Sequence, residues 1–61
     1  MKLHLYYVVE LYRDDGTELE EPKYDSGPFS NWYEADLKRA SHWLHNNRYH
    51  IVKHVIDVEH L

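Results

Sequence analysis

The 61-residue chain has no cysteine, two glycines, two prolines and no long hydrophobic run. Without cysteine it can form neither a disulfide nor a thiolate metal site, which favours a reducing compartment. No apolar stretch approaches the roughly 18 residues of a membrane-spanning helix, and the opening MKLHLYYVVELYR lacks the pattern of a signal peptide. We therefore expect a soluble cytoplasmic protein that folds as one domain over residues 1–61.

Basic residues are few: seven Lys and Arg stand against eleven Asp and Glu, a formal net charge of −4. This balance opposes binding to a phosphate backbone, which requires clustered Lys and Arg. The acidic residues are concentrated between Glu10 and Asp25. One end of the molecule is therefore expected to be distinctly negative.

Catalytic patterns are missing as well. The two glycines are far apart, so no glycine-rich phosphate loop is present, and no nucleophile elbow or pair of carboxylates beside a base is found. A domain of this size also lacks room for a deep pocket. The sequence predicts a protein that is not an enzyme and binds no cofactor.

Six histidines invite a metal-site interpretation. A structural zinc site needs four convergent ligands, and the sequence offers neither Cys nor a helical HxxxH pair. We predict surface histidines without a metal; a weaker alternative is that they make association depend on pH near neutrality. If the last strand exposes its even-numbered side, the histidines on the uncovered sheet face would be His4, His50, His54 and His60.

What the chain does have is aromatic residues, and they mark its clearest element, an amphipathic helix over Ser30–Asn47. Ser30 and Asn31 are good N-caps, Asn31 and Glu34 have capping-box spacing, and the Asn46-Asn47 pair is expected to end the helix. The arc expected to cover a sheet comprises Trp32, Tyr33, Leu37, Ala40, Trp43 and Leu44.

Asp36 interrupts this apolar arc. We expect its carboxylate to turn sideways or to accept a hydrogen bond from a tyrosine or histidine. A functional carboxylate tuned by burial is the alternative, but no second catalytic residue accompanies it.

Two strands are predicted before the helix. Residues 2–13 alternate, with an apolar odd-numbered set expected to face the helix, and Asp14-Asp15-Gly16-Thr17 is typical of a hairpin turn. The return over Thr17–Asp25 is polar and contains Pro22, as expected for an edge strand. Ser26-Gly27-Pro28 would be the loop into the helix.

The segment after the helix, RYHIVKHVIDVE, is rich in β-branched residues and apolar on both sides, so which face is buried stays open. The elements predict an α+β fold of order β-β-α-β. Its three-stranded antiparallel sheet would have the order 2-1-3, with one helix packed on one face.

Apolar residues on the face without the helix predict an interface, since a contiguous exposed patch usually marks one. Tyr6, Val8 and Tyr12 form this row on the first strand. The acidic hairpin adds a second candidate surface, which could also be a solvated loop. Its predicted partner-binding residues are Asp14, Asp15, Glu18 and Glu21.

The layout resembles that of tiny acidic β-β-α-β proteins by which bacteriophages block host proteins. It is similar to the phage inhibitors of RNA polymerase and of uracil-DNA glycosylase. The features are a strand into Asp14-Asp15-Gly16, a polar return, Ser30 before an aromatic helix with Ala35, and a β-branched final strand. The resemblance implies inhibition by occlusion, often as a dimer, without catalysis.

The sequence thus favours a protein-binding module, with the resemblance pointing to an inhibitor of a host protein. One alternative is a structural protein whose partner is itself, as a homodimer. Another, which the acidic balance opposes, is a nucleic-acid-binding module with stacking tyrosines. Its basic residues would be Lys2, Arg13, Lys38, Arg39, Arg48 and Lys53.

Overall fold

Three strands form one antiparallel sheet: β1 (Lys2–Tyr12), β2 (Glu18–Phe29) and β3 (Tyr49–Asp57). The structure is a computed structural model and describes residues 1–59. For Asn46 it describes the backbone only. Helix α1 (Trp32–Ala40) and a 3-10 turn (Asn46–Arg48) connect β2 to β3. The sheet order is β2-β1-β3. The predicted α+β class, element order and strand order are confirmed.

The β1–β2 hairpin closes at the predicted Asp-Gly turn. The Gly16 N–H donates to the Arg13 carbonyl over 3.0 Å, and Gly16 has the positive φ of +88° that favours glycine. The Asp15 carboxylate accepts from the hydroxyl and N–H of Thr17, at 2.6 and 3.0 Å. These two bonds, the hydroxyl's first, lower the pKa of Asp15 because they favour its charged form.

Strand β2 lies at an edge, as predicted, but continues past Asp25 to Phe29, so the expected loop at Ser26–Pro28 is wrong. Its pairing with β1 is irregular: Val8 lies opposite Ser26 and Val9 opposite Tyr24, which leaves Asp25 as an extra residue. A bulge accommodates an extra residue in an edge strand, and such irregular strands tolerate prolines that a regular ladder of hydrogen bonds excludes. Pro22 and Pro28 both lie in this strand.

The helix covers the even-numbered side of β1. In the β1–β3 register Glu10 pairs with Tyr49, and the Tyr49 ring stacks on His42, just after the helix, at a centroid distance of 4.0 Å. Trp32 and Ile51 border one surface depression together with Tyr49. We call this side the covered face and the other side the open face. The prediction that the odd-numbered side faces the helix is wrong.

Helix α1 begins where the sequence predicts and ends earlier. The Asn31 side chain accepts the Glu34 N–H over 2.9 Å, so Asn31 is the N-cap. The helix stops at Ala40 because the Ser41 hydroxyl bonds the Lys38 carbonyl at 2.6 Å and the next N–H groups bond carbonyls three residues back. The predicted end at Asn46-Asn47 is wrong.

The helix is also turned about its axis, by roughly a quarter turn relative to the prediction. Its fully buried residue is Ala35, while Tyr33 and Leu37 are 77% and 75% exposed. Ser30 and Asn31 alone separate β2 from α1, so the strand limits how far the helix can rotate. Asp36 bonds neither tyrosine nor histidine: it accepts from Arg39 Nη2 at 2.7 Å.

The core of the described chain is small. The fully buried apolar side chains are Val8 on the covered face, Val9 on the open face, and Ala35. The radius of gyration is 13.1 Å, against about 10.5 Å for a compact domain of this length. Much of the apolar surface therefore stays in contact with water.

Candidate protein-interaction surfaces

The predicted row of Tyr6, Val8 and Tyr12 does not form an exposed patch. Val8 has no solvent exposure, and Tyr6 and Tyr12 are half-buried. Val8 lies on the covered face, beneath the helix layer, so it cannot contact a partner. The prediction fails because it assigned the helix to the opposite side of β1.

The four predicted acidic residues, Asp14, Asp15, Glu18 and Glu21, are all exposed at the hairpin and on β2. Two of them have structural roles. Asp15 closes the turn through Thr17, and Asp14 receives a hydrogen bond from Arg48. Glu18 and Glu21 are therefore the acidic residues that can be changed with the least effect on the hairpin.

Arg48 joins the 3-10 turn to the base of the hairpin. Its guanidinium donates to the carboxylates of Glu10 and Asp14 and, through Nε at 3.2 Å, to the Tyr12 carbonyl. The hydrogen bond to Glu10 is the main cause that raises the pKa of Arg48. Sequence analysis counted Arg48 as a possible nucleic-acid contact, but in the structure its guanidinium pairs with Glu10 and Asp14.

An aromatic cluster lies on the open face. The Tyr7 ring packs edge-on against both Tyr24 and His54, at centroid distances of 5.2 and 5.1 Å. The Tyr24 hydroxyl lies 2.8 Å from His54 Nε2, so a hydrogen bond joins the two edge strands across β1. The cluster connects all three strands on this side of the sheet.

Aliphatic residues extend this cluster toward the end of the sheet. Leu3 lies opposite Ile56, and Leu5 opposite His54, on the same face as Tyr7. Leu3, Ile56 and Tyr24 are 43%, 46% and 52% exposed. We call the group open-face residues; they are Leu3, Leu5, Tyr7, Tyr24, His54 and Ile56. The alternation of β1 predicted that Leu3, Leu5 and Tyr7 share one apolar side of the sheet, but it assigned that side to the helix.

A second apolar surface covers the outer side of the helix layer. We call it the helix surface; it comprises Trp32, Tyr33, Leu37, Trp43 and Leu44, which are between 48% and 77% exposed. The Trp32 and Tyr33 rings meet edge-on at 5.9 Å. These residues were predicted to be the helix's buried arc. Periodicity identified the group correctly, but the quarter-turn rotation of the helix leaves these residues exposed.

The inner side of the helix layer is held by polar contacts. His42 Nε2 lies 3.0 Å from the Asp25 carboxylate at the β2 bulge, while the His42 ring stacks on Tyr49. Burial raises the pKa of the Tyr49 hydroxyl. The Ser26 hydroxyl also bonds Asp25, at 3.2 Å, rather than His42. The three side chains therefore do not form a serine–histidine–aspartate relay.

Histidines at positions 4, 45, 50 and 54 are exposed. The rings of His42, His50 and His54 lie against tyrosine rings. His60 lies outside the described residues. Among residues 1–59, no group of three or more side chains is placed to hold a metal ion. No helix in that range is long and apolar enough to cross a bilayer. No protein-family model, curated protein or solved structure matches the chain at a significant level.

Proposed function

We propose that this chain is a small non-catalytic protein-binding module that acts by covering a surface of another protein. The observation that carries the proposal is the imbalance between core and surface. Val8, Val9 and Ala35 are the fully buried apolar residues of the described chain, whereas ten large apolar side chains are 43% or more exposed. Eight of these ten belong to the open-face residues or to the helix surface, and a contiguous exposed apolar patch usually marks an interface.

The open face is the surface that we assign to this partner. Its residues are contiguous, since Leu3 pairs with Ile56 and the Tyr7, Tyr24 and His54 rings touch one another. An aromatic centre whose side chains already contact one another suits an interface because less side-chain entropy is lost when it is covered. The open face therefore supplies the apolar centre of the proposed contact.

The acidic residues supply the rim. Strand β2 flanks the open face and carries Glu18, Glu20 and Glu21, all exposed. Charges at a rim guide association and exclude wrong partners more than they add affinity. The expected partner surface is thus an apolar patch with Lys and Arg around it. The resemblance to phage-encoded inhibitors adds the proposal that the partner is a host protein that the contact blocks.

A matched pair of substitutions on β3 tests the assignment. Val55 and Ile56 are neighbours with 48% and 46% exposure, but they point to opposite faces of the sheet. We expect Ile56→Ser to abolish capture of a partner from bacterial lysate and Val55→Ser to leave it unchanged. Captured proteins are identified by mass spectrometry, and circular dichroism checks that both variants fold.

The rim is tested separately with Glu18→Lys and Glu21→Lys. Each rim charge contributes roughly 0.2–1 kcal/mol at an exposed site, so we expect the pair to weaken capture and to reduce its salt dependence. Capture that survives Ile56→Ser but not Val55→Ser would refute the open face as the contact. Failure to retain any protein above an unrelated acidic control would refute the proposed function itself.

A further inference from the structure

We propose that the helix surface is covered by a second copy of the same chain, in a two-fold dimer whose α1 helices pair antiparallel. This surface lies on the opposite side of the molecule from the open face. The proposal therefore stands or falls independently of the proposed partner.

The helix surface is large enough for a stable contact. An aromatic side chain can bury ~150–250 Å². With the exposed fractions of 48% and 73% for Trp32 and Trp43, and 69–77% for Tyr33, Leu37 and Leu44, the surface offers about 700 Å². Two copies would bury together at most about 1,400 Å², and covering most of this area reaches the range of roughly 1,200–2,000 Å² for specific interfaces.

The spacing of the exposed helix residues suits a two-fold axis. Tyr33, Leu37 and Ala40 follow one another on one stripe, at i, i+4 and i+7. An axis halfway between Glu34 and Lys38 places Tyr33 of one copy between Leu37 and Ala40 of the other. Ala40 provides the space that the tyrosine ring needs.

The charges on the flank agree with the same axis. Glu34 and Lys38 are exposed and lie one helical turn apart on the same side of the stripe. A two-fold operation at their midpoint brings Glu34 of each copy beside Lys38 of the other. Two opposite-charge pairs therefore form across the interface, in addition to the apolar contact.

The charge of the segment also favours a copy of itself over a strongly charged protein. Positions 31–48 carry two acidic residues, Glu34 and Asp36, against the three basic residues Lys38, Arg39 and Arg48. Asp36 and Arg39 already pair within the helix, and Arg48 pairs with the hairpin. The chain's net charge of −4 arises mainly in the segment from Glu10 to Asp25. Two helix surfaces can thus meet without net repulsion.

Sedimentation equilibrium of the full chain, over about 10 µM to 1 mM, tests the dimer. We expect twice the mass of one chain at the upper end. Leu37→Ser raises the dissociation constant at least about tenfold, because a two-fold interface loses two leucine contacts. Ile56→Ser, on the open face, leaves the dissociation constant unchanged. Circular dichroism confirms the fold of each variant.

Charge exchange tests the axis. Glu34→Lys and Lys38→Glu should each weaken the dimer about tenfold, since two exposed pairs become repulsive. An equimolar mixture of the two variants should associate at least as tightly as the wild type, because each restores the pairs of the other. A chain that stays monomeric throughout overturns the proposal. So does a dimer that ignores Leu37→Ser and the charge variants, or one that Ile56→Ser dissociates.

Discussion

Replacement of Gly27 by alanine is the sharpest test of how β2 joins the sheet. A Cβ at position 27 would lie 2.8 Å from Tyr7 Cδ1 and 2.9 Å from the Tyr6 carbonyl oxygen. The second atom belongs to the backbone of the central strand and cannot move without disturbing both of its neighbours. Gly27 also has a φ of +125°, which an L side chain rarely adopts.

The expected loss of stability follows from the steric overlap and the backbone strain. Backbone strain costs about 1–3 kcal/mol and the steric overlap about 1–3 kcal/mol, while the stiffer unfolded chain returns about 0.4–1 kcal/mol. We expect Gly27→Ala to lower the free energy of unfolding by about 3 kcal/mol. A 61-residue domain has only roughly 3–9 kcal/mol in total. The melting temperature should therefore fall by at least about 12 °C.

Gly16→Ala is the matched control. Gly16 also has a positive φ, of +88°, but no atom lies within 4 Å of a Cβ placed there. It incurs strain without overlap, so we expect a loss of about 1 kcal/mol. Urea unfolding followed by circular dichroism and tryptophan fluorescence measures both variants. Equal stability of the two would refute the close approach of β2 to Tyr6 and Tyr7.

Three further predictions concern the helix N-cap, the hairpin turn and the hydrogen bonds of Arg48. Asn31→Ala should cost about 1 kcal/mol in urea unfolding, and Ser30→Ala much less, because Asn31 makes the capping bond. The two bonds from Thr17 depress the pKa of Asp15 below its usual 3.8, so its contribution to stability is present above that pH and lost as the pH falls through the depressed value. Asp15→Asn should reduce the loss of stability as the pH falls from about 5 to 2. Arg48→Lys should lower the melting temperature because a lysine cannot keep all three of Arg48's partners.

Each of these has a clear contrary outcome. Equal losses for Asn31→Ala and Ser30→Ala would mean that the helix starts elsewhere. If Asp15→Asn leaves the pH dependence of stability unchanged, the hydrogen bonds from Thr17 to Asp15 do not contribute to that dependence. An unaltered melting temperature for Arg48→Lys would show that the 3-10 turn is held by packing instead.

Local signals along the chain predicted what depends on neighbouring residues. The Asp-Gly turn was identified because Gly16 tolerates a positive φ and Asp15 can bond Thr17 two residues on. The helix start was identified because Asn31 and Glu34 have the spacing of a cap. The strand order followed from the edge character of β2 and from the helix returning the chain across the sheet to the side of β1, and the structure agrees.

The interaction surfaces were predicted in kind but not in place. The sequence indicated one covered side and one apolar uncovered side of the sheet. It predicted that Val8 is exposed, but Val8 is buried. Strand β1 is apolar at Tyr6, Val8 and Tyr12 as well as at its odd positions. Its pattern therefore does not predict which side of the sheet the helix covers. The two-residue link from β2 and the His42–Asp25 and His42–Tyr49 contacts decide it.

The sequence by itself determined the β-β-α-β order, the turn and the helix start, since local hydrophobic patterns specify the first and bonds between nearby residues the other two. The tertiary structure alone decided which way the helix turns, where it ends and which apolar residues remain exposed. Those properties depend on contacts between positions far apart, such as His42 with Asp25 and Arg48 with Glu10. Hydrophobic periodicity says which residues share a side, whereas packing against the sheet says which side is inward.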